Sequence, residues 1–556
     1  MGETEILGRI YKELRLDLWW QELLGQKEPK FETFDREIAI ANLPRTEVKA
    51  AEAVHAKFKN VLTYTEANKQ WYLWDGTIHT PCDGDGIALK VAKLYYKAMC
   101  DGLDFIKEYL EKEASKIESS NAANSKDEAQ KFREWYDKSE IVKHKLYRDK
   151  VSTDAGLNAL IRVMKTECDV PSDYYDNDQR WFVMKNFVLD LDAVRADGWA
   201  MQPHSPDRAV TKFFDAEYPL RPEDRVNLGH WDNFLKNSIP NEEARIYLQK
   251  VTGAAFMGES KLRTILNLHG PPGSGKSVFI NTFFKLGNGG AGYVCMPDSN
   301  VIVKVSGQNF EQDTLKGRRF WGISEPPMNA PIDNEFFKKA TGDEWVMTRT
   351  LNVKSYGWCP QGVPFVASNK PLKINTRDKA IVKRVQMIEF PIEFEENHPD
   401  PARRLVQGLE DLIMDDRMRV LEWIIQGMRM FVKDGRKLTP PASVIALQDD
   451  VVTEASTALR WVAEYIEDGL IKIDFNQPSE YFLPVKDAYQ RYQNWVVMSG
   501  EKHPLNLRFF SQDIENRYDG IIRENGIRRF KGIIVTPEYQ KLIGSAGINP
   551  NYGGFS

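Results

Sequence analysis

The residues best suited to chemistry form one short stretch, Gly270-Pro271-Pro272-Gly273-Ser274-Gly275-Lys276-Ser277. It satisfies the pattern G-x-x-x-x-G-K-[ST], whose physical purpose is to wrap a phosphate chain in backbone N–H groups at close range. Gly273 and Gly275 permit that approach, the following helix offers its positive end, Lys276 reaches the outer phosphates and Ser277 holds Mg²⁺. The apolar alternating run Thr264-Ile265-Leu266-Asn267-Leu268-His269 reads as the strand entering the turn, and residues 278–285 as the helix leaving it. This context distinguishes a nucleotide loop from a chance turn, and the stretch predicts nucleotide binding.

Hydrolysis needs more: a carboxylate near the outermost phosphate, a polar reader of that phosphate, and a cation for the charge that develops. Glu325 is the carboxylate candidate. It ends Arg319-Phe320-Trp321-Gly322-Ile323-Ser324, an apolar run suited to a central strand adjacent to the strand that enters the turn. A carboxylate there points into the ligand crevice, where it orients the attacking water and holds Mg²⁺ through a coordinated water; the plainer reading is a solvated acid at a strand end. Val363-Pro364-Phe365-Val366-Ala367-Ser368-Asn369 ends in an amide that can bond both the phosphate and the lytic water, or in a turn-forming Asn before Lys370-Pro371. Residues 378–388 carry Lys383-Arg384 ahead of Val385-Gln386-Met387-Ile388-Glu389-Phe390-Pro391. The Arg384 guanidinium faces the active site of an adjacent subunit, or it is an ordinary surface arginine.

Between Glu325 and Asn369, residues 334–343 read as a helix that buries Phe336, Phe337 and Ala340. Trp345-Val346-Met347-Thr348-Arg349-Thr350-Leu351 is then the outgoing strand of a hairpin that returns through residues 356–366, with its tip at Asn352-Val353-Lys354-Ser355. A lone lysine at a hairpin tip is usually just solvated, but a ring of such hairpins would set one cation per subunit in a central channel.

The elements that must position these groups sit in a chain of 556 residues, enough for about three or four domains. Its net charge of −5 leaves no room for a uniformly basic coat, so any nucleic-acid contact is local. Cys82, Cys100, Cys168, Cys295 and Cys359 lie far apart with no paired spacing, which argues against a zinc site or a disulfide framework. The acidic start Met1-Gly2-Glu3-Thr4-Glu5-Ile6 lacks an apolar signal core, and no apolar run approaches membrane-spanning length. The expectation is a cytosolic protein with no membrane partner.

Residues 6–24 read as one short amphipathic helix through Ile10, Leu14 and Leu18. Val61-Leu62-Thr63-Tyr64 and Trp71-Tyr72-Leu73-Trp74 read as strands closed by Asp75-Gly76; the tryptophans are core, or a platform for a base. Residues 88–118 are helical, and Ser125 with Glu128 forms a capping box for the next helix. Residues 181–191 look like a buried strand pair, 203–222 like a linker, and 231–253 like one or two helices. After Pro440-Pro441 come helices near 458–469, 485–498 and 507–518, then the basic ribbon Arg528-Arg529-Phe530-Lys531-Gly532-Ile533-Ile534-Val535, a pattern that suggests a winged helix.

Taken together, Gly270 to Ser277, Glu325, Lys338/Lys339 with Thr341-Gly342-Asp343, Arg349, Asn369 and Arg384 resemble the superfamily 3 helicases. The closest likeness is to the phage and plasmid primase–helicase family, which includes the poxvirus primase–helicase. The likeness runs from about residue 50 to the end, with Trp71-Tyr72-Leu73-Trp74-Asp75-Gly76 and Asn186-Phe187-Val188-Leu189-Asp190-Leu191 similar to its pre-helicase domain, and Tyr489-Gln490-Arg491-Tyr492-Gln493-Asn494-Trp495 and the basic ribbon similar to its winged helix. The resemblance implies an α/β fold with a P-loop AAA+ core (263–437). It places an N-terminal extension (1–45), a mainly helical α+β domain (46–230) and collar-like helices (231–262) before that core, and a winged-helix domain (438–556) after it. It implies a homo-hexameric ring moving 3′ to 5′ on single-stranded and forked DNA, with ATP and Mg²⁺, alongside a separate primase or polymerase in a bacterial host's cytosol. Carried over by motif, Lys276 and Ser277 bind phosphate and Mg²⁺, Glu325 is the Walker B acid, Asn369 is sensor 1 and Arg384 the arginine finger. Asn352, Val353, Lys354, Arg528 and Arg529 contact DNA. Many members carry two acids at Walker B; here Pro326-Pro327 follow Glu325, so the direct Mg²⁺ carboxylate is unassigned.

About 50 residues precede the pre-helicase region, too few for a polymerase-type primase domain, so the expectation is a replicative helicase without priming. The alternative is an ATP-controlled initiator that binds an origin through a basic recognition helix. Residues 507–517 offer it two arginines against two acids.

Overall fold

The computed structural model describes residues 2–26, 30, 33–120, 124–138, 140–195, 198–218, 227–287, 292–303, 310–326, 332–342, 344–348, 356–373, 375, 377–502, 504–518 and 520–539. The chain divides into two units, the first built on Met1–Phe214, the second on Asp215–Thr348 and Gly357–Ser556.

The first unit opens with helices α1 (Glu3–Glu13), α2 (Trp19–Leu23), α3 (Arg36–Asn42) and α4 (Glu47–Lys57). The single helix expected over residues 6–24 is broken at Arg15, whose φ is +49°, and a 3-10 turn follows at Leu16–Leu18. Burial explains the break. Ile10 and Trp19 are both 1% exposed in the same core. Nine residues at about 100° each would put them on opposite faces of one continuous helix.

An antiparallel meander follows: β1 (Leu62–Thr65), β2 (Gln70–Trp74) and β3 (His79–Cys82). Trp71 and Trp74 are buried in it, and the Trp71 indole N–H donates to Asp85. They are core residues and offer no open face for a base. Helices α5 (Gly86–Glu118), α6 (Ser125–Lys138), α7 (Ile141–Val151) and α8 (Asp154–Glu167) complete the helical part. The first intrahelical bond of α6 runs from the Glu128 N–H to the Asn124 carbonyl, so Asn124 is the N-cap and Ser125 the first helical residue. A second meander, β4 (Trp181–Val183), β5 (Val188–Arg195) and β6 (Gly198–Gln202), contains the expected strand pair plus a third strand.

The second unit begins with α9 (His230–Ser238) and α10 (Glu242–Phe256). It then builds a mixed α/β layer on β7 (Ile265–His269), α11 (Lys276–Leu286), β8 (Val294–Cys295), β9 (Phe320–Ser324), α12 (Asn334–Ala340), β10 (Val346–Thr348), β11 (Tyr356–Trp358), β12 (Val363–Ser368), α13 (Lys379–Val382) and β13 (Val385–Glu389). Five of these strands form a parallel sheet in the order β13-β7-β12-β9-β8. The strand ending at Glu325 is therefore not the neighbour of β7; β12 lies between them. All six residues of β12 are buried, and a strand apolar on both faces takes a central position. The hairpin is also shorter than expected. β10 pairs with β11 alone, while Val363–Ser368 leaves to join the large sheet.

Helices α14 (Leu409–Asp415), α15 (Arg417–Lys433), α16 (Ala442–Glu454), α17 (Thr457–Glu467), α18 (Val485–Ser499) and α19 (Leu507–Arg517) follow, with the short strands β14 (Ile471–Ile473), β15 (Phe482–Pro484), β16 (Ile521–Glu524) and β17 (Ile527–Val535). These strands pair antiparallel around β17, over a core that includes Trp461, Tyr492, Phe510 and Phe530.

Helices α10 and α15 meet through glycine. A Cβ on Gly253 would sit 2.2 Å from the Met428 amide nitrogen, and one on Gly427 2.2 Å from the Gln249 carbonyl oxygen. Mid-helix Gly→Ala ordinarily stabilises by up to about 1 kcal/mol. Here the methyl meets backbone that cannot yield, so Gly427→Ala should instead destabilise by about 2 kcal/mol or more. Urea unfolding checks the sign; a variant as stable as wild type would contradict this packing.

Candidate functional site

A cavity of about 540 Å³ opens at the carboxyl ends of β7, β9 and β12, a size suited to a small ligand. Its floor is the turn from Pro272 to Ser277, and Glu325 and Asn369 enter from the ends of β9 and β12. Helix α9 contributes His230, Asn233, Phe234 and Asn237, while Ala402, Leu405, Val406 and Leu409 supply an apolar far wall. Open parallel sheets receive ligands at this end, because there the helix N-termini and strand-end side chains converge.

The turn's shape follows from its glycines. Gly273 and Gly275 have φ of +71° and +93°, backbone that other residues rarely adopt. A Cβ on Gly275 would also lie 2.8 Å from the Phe234 ring. Among the described residues, the N–H groups of Gly273, Gly275, Lys276 and Ser277 have no hydrogen-bond acceptor. Four unpaired donors around the start of α11 make a cradle for an anion.

Lys276 is 7% exposed. Its Nζ donates to the carbonyls of Gly270 and Pro271, each at 2.7 Å, and to Ser274 Oγ at 3.0 Å. Burial pulls its pKa down and the nearby Glu325 carboxylate opposes that shift. Ser277 is exposed and lines the cavity. His269, the last residue of β7, is buried beside this group, and burial together with the Lys276 charge pushes it down to about 4.

Two further devices set the strand ends. Glu325 has φ of +44°, a left-handed conformation that costs a non-glycine residue about 1 kcal/mol, and its N–H is held by the Ala367 carbonyl at 2.9 Å. Asn267, wholly buried in β7, donates to the Val366 carbonyl (2.9 Å) and Ser368 Oγ (2.8 Å) and accepts from the Leu372 N–H (3.0 Å). One amide thus braces the strand end on both sides of Asn369. The sequence hid it, because Asn267 sits inside an otherwise apolar run.

Helix α9 is anchored from behind. The buried Asp416 carboxylate accepts from the N–H groups of Leu228 (3.0 Å) and Trp231 (3.2 Å), and Arg419 grips Asp232 with two nitrogens at 2.8 and 3.0 Å. Neither this anchor nor the wall around residues 401–412 carries a motif, so sequence reasoning missed both.

Arg384 stands apart. It precedes β13, level with the start of β7, since its carbonyl accepts from Ile265. At 3.3 Å per residue it lies a strand length, about 16 Å, from the end of the sheet where the turn sits. It is half-buried and donates to Thr341 Oγ1 and the Ala380 carbonyl, each at 3.0 Å. Lys338 pairs with Asp378 at 2.6 Å in the same group. Arg528 is exposed on the β16–β17 hairpin, opposite Arg523, whereas Arg529 is half-buried and donates to the Phe482 carbonyl. Asp343, Arg349, Asn352, Val353 and Lys354 lie outside the described residues.

Residues 51–240 match the family described as D5 N terminal like. A protein of Acanthamoeba polyphaga mimivirus named as a candidate helicase, L207/L206, is 23% identical over 326 residues, which are 56% of this chain and 32% of that protein. The chain thus spans about a third of the length of that curated relative. The A form apo structure of the NrS-1 C-terminal region aligns at 11% identity and a TM-score of 0.34, covering 63% of this chain and 93% of that one. A further apo structure of that region aligns at 13% and 0.33, covering 57% and 79%. The family match stops ahead of the glycine-rich turn, so the turn's geometry is an independent observation. No helix among the described residues is long and apolar enough to cross a membrane.

His269 makes stability depend on pH. The unfolded chain takes up this proton near 6.5, the folded chain only near 4, so stability is complete above about 6.5 and falls as pH drops toward 4. His269→Asn should remove about 2 kcal/mol of the loss between pH 7 and pH 5 in urea unfolding. Equal losses in variant and wild type would refute the assignment.

Proposed function

We propose that the chain is an ATP-dependent DNA helicase acting in replication, with a P-loop AAA+ core of the superfamily 3 type and a C-terminal winged helix. The observation that carries this reading is the convergence of Lys276, Ser277, Glu325 and Asn369 on one cavity whose floor is a cradle of unpaired N–H groups. The resemblance, over more than half the chain, to a protein named as a candidate helicase supports it.

The donor set fits ATP with Mg²⁺: the cradle and Lys276 match a polyphosphate, the Ser277 hydroxyl is a hard oxygen ligand suited to that cation, and the Glu325 carboxylate would hold it through a coordinated water. ATP supplies the phosphoanhydride whose cleavage drives the motor, and Mg²⁺ neutralises charge on its phosphates. Lys276 exchanges the loop carbonyls for phosphate oxygens as charge grows there. Glu325 orients and deprotonates the lytic water, and Asn369 bonds the outermost phosphate. The polar face of α9 and the apolar wall across from it hold the nucleoside.

Arg384 sits at the wrong end of the sheet to serve its own cavity, which favours a role in a neighbour's site. A head-to-tail homo-hexameric ring, moving 3′ to 5′ on single-stranded DNA, provides that neighbour. Lys354, for which the sequence suggests a hairpin tip, and Arg528 are the DNA contacts of this reading, with Arg529 next to Arg528 in the chain. A separate primase or polymerase is the expected partner, in the cytosol of a host bacterium. The alternative, an origin-binding initiator, needs an open recognition face on α19; Phe509, Asp513 and Asn516 of that helix are engaged within the chain.

Lys276→Ala should abolish ATP turnover, because it removes the counter-charge to the phosphates; turnover within about tenfold of wild type would contradict the site. Arg384→Ala should bind nucleotide with normal affinity yet lose hydrolysis. Mixed in equal amount with Lys276→Ala, it should recover about a quarter of wild-type hydrolysis if interfaces assort at random, and no recovery would rule out a finger acting between subunits.

A further inference from the structure

The chain between Asn369 and Arg384 runs from the cavity end of the sheet to its opposite end. Its near part is held by Asn267, which accepts from the Leu372 N–H at 3.0 Å. Its far part is held by the C-terminal helices. The Arg377 guanidinium carbon lies 4.1 Å from the centroid of the Phe509 ring, and its Nε lies 3.2 Å from Asp513 Oδ1, an ion pair set off the hydrogen-bond line. The Arg377 carbonyl accepts from the Asn516 side chain at 3.0 Å. Phe509, Asp513 and Asn516 are spaced i, i+4 and i+7, so they form one face of α19.

The partner carboxylate is itself committed. The Asp513 side chain is 1% exposed, and its other oxygen accepts from Ser456 Oγ at 2.7 Å, the hydroxyl that caps α17. A buried carboxylate needs a counter-charge, and Arg377 supplies it from another element. A few residues on, Gln448 of α16 donates to the Val382 carbonyl, and Val382 packs against the C-terminal core. Arg517 of α19 pairs with Asp449 of α16 at 2.8 Å. Helix α13 is therefore gripped at both ends by α16 and α19. Two residues past that helix Arg384 reaches Thr341, and Asp378, which caps the helix, pairs with Lys338.

We infer that Arg377 is a positioning residue, through which α19 clasps the segment joining Asn369 to Arg384 and sets both for hydrolysis. The inference rests on the reading of the cavity as a nucleotide site. Asn369 answers to what the cavity holds, and a segment fixed at Leu372 and at Arg377 passes that answer to Arg384. With the second anchor gone, nucleotide still binds the turn, while the group serving the neighbouring site loses its placement. The α19 face is thus an internal coupling surface.

The test uses the full chain, with single-stranded DNA present, and compares wild type, Arg377→Ala and Arg377→Lys in ATP hydrolysis, nucleotide affinity and thermal melting. Arg377→Ala should lower kcat by about tenfold or more with KM for ATP within about twofold, and Arg377→Lys, which keeps the charge on Asp513, should recover kcat to within about threefold of wild type. A kcat for Arg377→Ala within twofold of wild type overturns the inference. So does a parallel loss of kcat, nucleotide affinity and melting temperature that lysine does not rescue, since that marks simple unpacking. Should Arg377→Ala not fold, Asn516→Ala, which withdraws only the amide on the Arg377 carbonyl, is read by the same criteria with a smaller expected loss of about threefold. A wild-type chain that hydrolyses no ATP would defeat the underlying reading instead, a result separate from any variant's behaviour.

Discussion

Everything at the site depends on one buried ammonium group. Lys276 is withdrawn from water and held by two main-chain carbonyls of the turn it follows, with Ser274 as third partner. Burying such a charge is costly, and neutral carbonyls offset the cost only in part. A polyphosphate on the neighbouring N–H groups would supply the missing opposite charge. The same requirement fixes the backbone around it. Gly270 has φ of +152°, with the Phe390 carbonyl 2.1 Å from where a Cβ would stand, and Gly275 has Phe234 against it. The turn can close on an anion only because β13 and α9 press on it where side chains are absent.

The parallel sheet carries that chemistry outward. Its carboxyl end gathers the turn, Glu325 and Asn369; its amino end carries Arg384, a strand length away. On the proposed reading, the groups of a hydrolytic site lie at both ends of this one sheet, and assembly with a second copy would bring them together. Strain sits where function would place it, since Glu325 takes a left-handed backbone between β9 and Pro326 and is fixed there by a bond from the middle strand.

Much of this was legible in the sequence because the informative residues end apolar runs. Glu325 and Asn369 close β9 and β12, and the glycine pattern announces the turn between β7 and α11. Strand order was not legible, since pairing is non-local and only burial on both faces sends β12 to the middle. The break at Arg15 was missed because local periodicity cannot see that Ile10 and Trp19 share one core. Asn267, Asp416 and Arg377 carry no motif; each matters through a partner between 99 and 188 residues away, as in Asn267 with Val366, Asp416 with Leu228 and Arg377 with Asn516. Helix α19 entered the sequence reading only as the recognition helix of the alternative initiator, and one of its faces meets Arg377.

The central claim is that phosphate bound in one subunit's turn is cleaved with a neighbour's arginine, and that this cycle moves the chain along a single DNA strand. Strand displacement on forked DNA with ATP and Mg²⁺, using substrates with a single tail of either polarity, tests it most directly. Unwinding of the 3′-tailed substrate alone, dependent on hydrolysable ATP, is the expected result. ATP hydrolysis at full rate by a monomer, with neither substrate unwound, would contradict the account.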